Sequence, residues 1–286
     1  MKRACSLNAN TDENSQRVPS DLKKTNYLRM KKIFISIIFL FVLSDFLFAQ
    51  DTITLYYNSN WVEISNKDEA TYYRKAFEDT NKVWNVRDYY ISNKIQMTGA
   101  FKSKKLASRQ GHFIYYHENG KKSSEGNYIN NRAEGYWNYW HENGQKKSSG
   151  EYLAGKKEGV WEYWYENGSK KSEGKYLKDE SVDVWNYWYQ SGQLKGKETY
   201  KKDGLLTYEG YYENGAAKVK GNIVNGEPQG TWVYWNSDGR ITMKGDFNHG
   251  LKDGEWIRSF PYSEMYLLFK NGVYEGKQFG GIVRTE

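Results

Sequence analysis

GYWNYWHENGQKKSSGEYLAGKKE (residues 135–158) is followed at once by GVWEYWYENGSKKSEGKYLKDESV (159–182). The two segments agree at most positions, and each carries two tryptophans. Gly111, Gly135 and Gly159 open successive units 24 residues apart. Asp183 takes the next position, Leu206 comes one residue early, and Gly230 and Gly254 restore the spacing of 24. That makes seven units, and a weaker one (87–110) precedes them. A fixed period in this range marks stacked copies of one supersecondary unit.

Within a unit, six residues of strand character lead to a turn: Asn119-Gly120, Asn143-Gly144, Asn167-Gly168, Ser191-Gly192, Asn214-Gly215 or Asp238-Gly239. Asn-Gly between aromatic runs is a strong hairpin signal, and a two-residue turn there would put both central residues at φ > 0. A second strand ends on Tyr128, Tyr152, Tyr176, Tyr200, Ile223 or Phe247, and a further turn returns the chain. The expected fold class is therefore all-β, an elongated antiparallel β-meander or solenoid of hairpins of about 24 residues. Eight such hairpins, at about 4.8 Å per strand, would extend about 75 Å. Residues 87–286 form the repeats. Residues 50–86 are expected to form a small N-terminal β cap, because solenoid ends need atypical units. Within the cap, 52–64 reads as a hairpin, and 70–78 as a strand or a short helix.

A two-residue turn at Asn143-Gly144 fixes the register. Trp137 then faces Gly150, Phe113 faces Gly126, Trp161 faces Gly174, Tyr208 faces Gly221 and Trp232 faces Gly245. Only Trp185, opposite Glu198, departs from the rule of a large ring over a missing side chain. Alternation places Trp137, Tyr139 and Tyr152 on one face, expected to be the main buried one. The other face carries Tyr116, Trp140, Trp164, Trp188 and Trp235. The same arithmetic sets Trp140 opposite Lys147, Trp164 opposite Lys171, Trp188 opposite Lys195, Trp235 opposite Thr242 and Tyr116 opposite Ser123. This row is either a stabilising ladder under lysine stems or a binding strip. These eight aromatic and lysine residues are the candidate binding surface.

The pattern G-x-W-x-Y-W-x-E-N-G-x-K, then G-x-Y, resembles the bacterial variant of the MORN repeat, the type found in proteins labelled YwqK-family antitoxins. The resemblance covers about residues 87–276. It implies stacked β-hairpins and contacts with proteins or membrane surfaces. It carries no kinase implication here, since the sequence has no glycine-rich loop before a lysine strand, no HRD and no DFG. The leader ending FAQ, with WNVRDYYISNKIQMTG before the repeats, is similar to envelope proteins of Bacteroidota.

Composition supports a folded chain: 17% of the 286 residues are aromatic, against the aromatic poverty of disordered segments. Residues 33–43, IFISIIFLFVL, follow Lys31 and Lys32, and Phe48-Ala49-Gln50 closes the run. This reads as a secretory signal peptide over 30–49, starting at Met30 and cut after Ala49; a membrane anchor is the competing reading. Residues 1–29 then precede the true start. Eight of the 42 basic and four of the 35 acidic residues lie in 1–49, so the remainder carries +3 of the overall +7. Charge so balanced does not form a nucleic-acid trap. The one cysteine, Cys5, falls in the discarded part, leaving no disulfide and no thiol.

No catalytic, cofactor or metal residues are expected. His117 and His141 share a repeat position, but Tyr165 and Tyr189 continue their row and supply no third ligand. Glu118, Glu142, Glu166 and Glu213 stand at solvated turn tips, where neither carboxylate of a hydrolytic pair gains a raised pKa. Serines 123, 124, 148 and 149 have no triad partners in order.

The expected function is a non-enzymatic, exported protein-binding or scaffolding module of the cell envelope, in the periplasm, at the outer membrane or secreted. Its leading partner is an envelope or extracellular protein. Alternatives are a glycan gripped by the Trp/Lys ladder, then an antitoxin-like or membrane-surface role. Nucleic acid is not expected, and neither is any cofactor.

Overall fold

The computed structural model describes residues 52–201 and 204–279. The readings of residues 1–49, including the signal peptide, Met30 and Cys5, lie outside the described residues.

The repeat does become a meander. Twenty strands, from Ile53–Tyr57 to Val273–Phe279, form one open antiparallel sheet. Ile53–Tyr57 pairs with the short Glu63–Ile64 on one side and with Tyr72–Glu78 on the other. From Tyr72–Glu78 onward every strand pairs with the next in sequence. The segment 70–78 resolves as strand, and the one helical piece among the described residues is the 3-10 turn Lys67–Glu69.

The turns differ from expectation. Gly144 has φ +89°, but Asn143 stays out of the left-handed region. The Gly144 N–H donates to His141 O (2.8 Å), and the His141 N–H to Gln145 O (2.9 Å). This is a three-residue loop, a type I turn closed by a left-handed glycine, and not a two-residue turn. Asn143 is needed for its side chain: Oδ1 accepts from the Gln145 N–H (2.9 Å), and Nδ2 donates to Glu166 O of the next hairpin (2.6 Å). Turns with two successive left-handed residues do occur, at the opposite ends of the strands, where hairpin joins hairpin: Ala154 (+52°) with Gly155 (+88°), and Asn130 (+52°) with Asn131 (+68°).

The longer loop shifts the first pair by one residue, and a bulge then restores the register. Trp140 pairs with Lys146, Tyr139 with Ser148, and Lys147 is the extra residue between them. Beyond the bulge the expected pairs all hold: Trp137 with Gly150, Phe113 with Gly126, Trp161 with Gly174, Tyr208 with Gly221, Trp232 with Gly245, and the exception Trp185 with Glu198. Before it they do not. Trp164 pairs with Lys170 rather than Lys171, and Trp188 with Leu194 rather than Lys195. Trp235 pairs with Ile241 rather than Thr242, and Tyr116 with Lys122 rather than Ser123.

The glycine–tryptophan packing is also offset by one hairpin. A Cβ on Gly150 would meet Trp161, not its ladder partner Trp137. Likewise Gly126 makes room for Trp137, Gly174 for Trp185, Gly221 for Trp232 and Gly245 for Trp256. Each indole N–H then donates to a backbone carbonyl of the preceding hairpin, as from Trp161 to Glu151 O (3.1 Å) and from Trp256 to Asp246 O (2.9 Å). Tyr152 meets the Trp161 ring edge-to-face at 5.0 Å. Lys157 Nζ lies 4.5 Å from the centre of the same ring. In this way a single sheet buries large rings without a second layer: Trp161 is only 1% exposed. Toward the N-terminal end the row shrinks to Phe113, Val86 and Ala76, and packs with Trp84, Met97 and Phe101.

Candidate functional site

The face opposite the glycine sockets is the outer face, and it holds the expected strip. Tyr116, Trp140, Trp164, Trp188 and Trp235 are all half-buried. Trp140, Trp164 and Trp188 each have a lysine over the ring, drawn from the second strand of the hairpin before. Lys122 lies 5.8 Å from Trp140, Lys146 4.6 Å from Trp164, and Lys170 5.7 Å from Trp188. Lys147, Lys171 and Lys195 are therefore not the tryptophan partners. As bulge residues they are turned elsewhere, and Lys171 and Lys195 lie over the Tyr165 and Tyr189 rings at 5.7 and 5.6 Å. Among the described residues no lysine covers Trp235 in this way, and Ala217 stands where it would be.

Charge varies along this strip. Lys122 bonds Glu125 (2.7 Å), which holds its ammonium above the usual lysine range. Burial works to lower Lys170, but its bonds to Glu162 (2.8 Å) and Glu173 outweigh that, so it too is raised. Ser149 replaces the glutamate beside Lys146, which has no ion pair among the described residues. A cation over an aromatic ring, with no carboxylate of its own, is thus offered in the middle of the row.

Two further rows on the outer face escaped the sequence reading. Alternation from Trp137 puts Tyr136, Val160 and Val184 there, and alternation from Tyr128 puts Ile129, Leu153 and Leu177 there. All six are exposed, Tyr136 to 70%. Both rows recur at 24 residues, so the signal was present in the repeat. Together with the tryptophans they put three rows of apolar side chains on the outer face of the central repeats, with Asn138, Glu151, Glu162 and Lys175 between them.

The shared histidine position has a structural use. His117 and His141 bond Trp140 O and Trp164 O of the next hairpins through Nε2 at 3.0 Å. A carbonyl only accepts, so each imidazole carries its proton on Nε2. Tyr165, Tyr189 and Tyr212 continue the row, their hydroxyls donating to Trp188 O, Tyr211 O and Trp235 O at 2.8 Å. The row is a seam between hairpins. The turn carboxylates Glu118, Glu142, Glu166 and Glu213 are exposed.

The MORN repeat variant family matches residues 109–130, 157–178 and 184–202, each segment one hairpin. Three hairpins of the all-β sheet thus match this repeat variant, and repeat folds of this kind typically serve as binding modules. Comparison with curated proteins finds no match.

Proposed function

We propose that the chain is a non-enzymatic module that docks a partner protein on its outer face, and that it works outside the cytoplasm, at the cell envelope. The observation that carries this is the recurrence of exposed apolar side chains on the outer face, repeat after repeat, beside the tryptophan strip. Exposed apolar groups repeated in rows, with polar residues between them, suit a surface that meets a partner. Half-buried tryptophans set among lysines suit the centre of such an interface. The free cation of Lys146 favours an acidic residue on the partner beside Trp164.

The test uses the full chain as bait against envelope extract, beside two variants checked for folding by circular dichroism. One is Leu153→Glu with Val160→Glu, which charges the outer rows. The other is Trp140, Trp164 and Trp188→Ala, which removes the strip. A protein retained by the parent and lost by both variants supports the reading. A protein held equally by all three removes the outer face from consideration. Co-sedimentation with anionic vesicles, or a fluorescence change with soluble polysaccharide, would replace the protein partner with one of the other two classes.

A further inference from the structure

The ladder of sockets breaks once, and the break is a cavity. At the fifth unit the spacing shortens by one residue, to Leu206. Four inner-face positions change there together. Gly196 stands where Ser148 and Ser172 stand, and Glu198 where Gly150 and Gly174 stand. Tyr208 replaces a tryptophan, and Gly210 replaces the tyrosine of Tyr139, Tyr163 and Tyr187. The bulge between hairpins is also missing, and Gly196 pairs directly with Gly210. Three side chains shrink and one carboxylate is introduced. The space that results is about 230 Å³, and Tyr165, Tyr187, Glu198 and Tyr208 line it, with Lys171 and Lys195.

The charges are arranged in depth. Glu198 Oε2 accepts from the Tyr187 hydroxyl (2.7 Å) and the Tyr200 hydroxyl (3.0 Å). Among the described residues it has no cation within ion-pair distance, although it is half-buried. A carboxylate in that setting gains from a cation that completes it. Aromatic walls add to the attraction for an ammonium group. At the mouth, Lys171 and Lys195 are exposed, their ammonium groups held against tyrosine rings. We propose that this cavity binds a small zwitterion of the amino-acid class, with its ammonium inward on Glu198 and its carboxylate outward between Lys171 and Lys195. The short apolar stem of the ligand lies against Tyr187 and Tyr208. Trp188 of the outer strip also borders this cavity, so the two sites are told apart by Leu153→Glu with Val160→Glu, which charges the outer rows and touches none of the cavity's lining residues.

The test compares three probes of one chain length, γ-aminobutyrate, n-butylamine and butyrate, by saturation-transfer NMR and calorimetry on the full chain. The expected order is γ-aminobutyrate, then butylamine, with butyrate unbound. Glu198→Gln should weaken γ-aminobutyrate at least tenfold. Lys171→Met with Lys195→Met should remove its advantage over butylamine. A second variant guards against misfolding: Glu198→Gly with Tyr208→Trp returns both positions to the residues of the regular repeats, so it should fold and lose all binding. Three results would overturn the proposal: no saturation by any probe, butyrate bound as well as γ-aminobutyrate, or affinity unchanged in Glu198→Gln.

Discussion

Replacing Gly150 by alanine should destabilise the protein, and the amount follows from the socket. The added methyl would stand 2.3 Å from Trp161 Cδ2 and 2.4 Å from Cε2 and Cγ. Carbon atoms in contact sit at about 3.5–4.0 Å, so the ring or the strand must move by more than about 1 Å. The ring has little room: it is buried, bonded to Glu151 O at 3.1 Å and in edge contact with Tyr152. Overpacking of this kind costs about 1–3 kcal/mol, and a lost indole hydrogen bond about 1 kcal/mol. Alanine returns about 0.4–1 kcal/mol by restricting the unfolded chain. The net expectation is a loss of about 2 kcal/mol. Urea denaturation followed by tryptophan fluorescence measures it, with hydrogen exchange to place the loss in the hairpins around Gly150. Gly276→Ala is the control: a Cβ there meets nothing within 4 Å, and the change should stay within about 0.5 kcal/mol. Adding Trp161→Ala to Gly150→Ala should cost less than the two separate losses combined. Equal losses at Gly150 and Gly276, or none at Gly150, would refute the socket.

Other expectations follow from single contacts. Asn143→Ala removes an acceptor within its own turn and a donor to the next hairpin, for about 1–2 kcal/mol, whereas Asn143→Asp keeps the first bond and should lose about half of that in the same denaturation assay. Asp88 is buried and accepts from Nε and Nη2 of Arg74 at 2.7 and 2.8 Å. Arg74→Met strands that charge and should cost about 3–5 kcal/mol at neutral pH. Burial already pushes the Asp88 carboxyl up against the pull of Arg74, and its neutral form is the one the variant tolerates. Part of the loss should therefore return as pH falls, and denaturation across acid pH reads this directly. Burial first, then the bonds to Glu198, push Tyr187 well above the phenol range and Tyr200 up to about 12. Burial and the Tyr163 hydroxyl raise Tyr176 to about 12 as well. The native state keeps these protons after the unfolded chain has lost its own, so stability should be full below about pH 10 and fall as pH rises toward 12. Solvent-exposed phenols ionise near about pH 10 whether or not a chain is folded. A late fraction of the tyrosinate absorbance that rises only in step with unfolding supports this, and complete titration near about pH 10 with the fold intact contradicts it.

The period made the meander and most of its register legible in the sequence, because seven copies of the same alternation leave one consistent pairing. The turn was misread because Asn-Gly suits both a two-residue and a three-residue loop, and nothing local separates them. That one residue misassigned Lys147, Lys171 and Lys195, since the compensating bulge follows from the loop. Pairing also names facing Cα atoms without saying which way a ring leans, so Gly150 was given to Trp137 when Trp161 fills it. The exception at Trp185 and Glu198 was visible in the sequence. The cavity beside it was not, because it depends on Gly196, Tyr208 and Gly210 acting together across two strands. The outer rows of Ile129, Leu153 and Leu177 could have been found by reading the repeat for exposure as well as for rings.

The offset between socket and ring makes the step, rather than the hairpin, the self-sufficient unit. A hairpin lends its glycine forward and its tryptophan backward, so neither is satisfied inside one copy. A spliced-in copy of 24 residues would bring one socket and one ring, and both joins would find what they need. Length is then a quantity the fold leaves open, adjustable in whole steps. Where Leu267 instead of glycine stands across from Trp256, the step offers no socket, and the strand that follows, Val273–Phe279, pairs without bringing a ring to fill one.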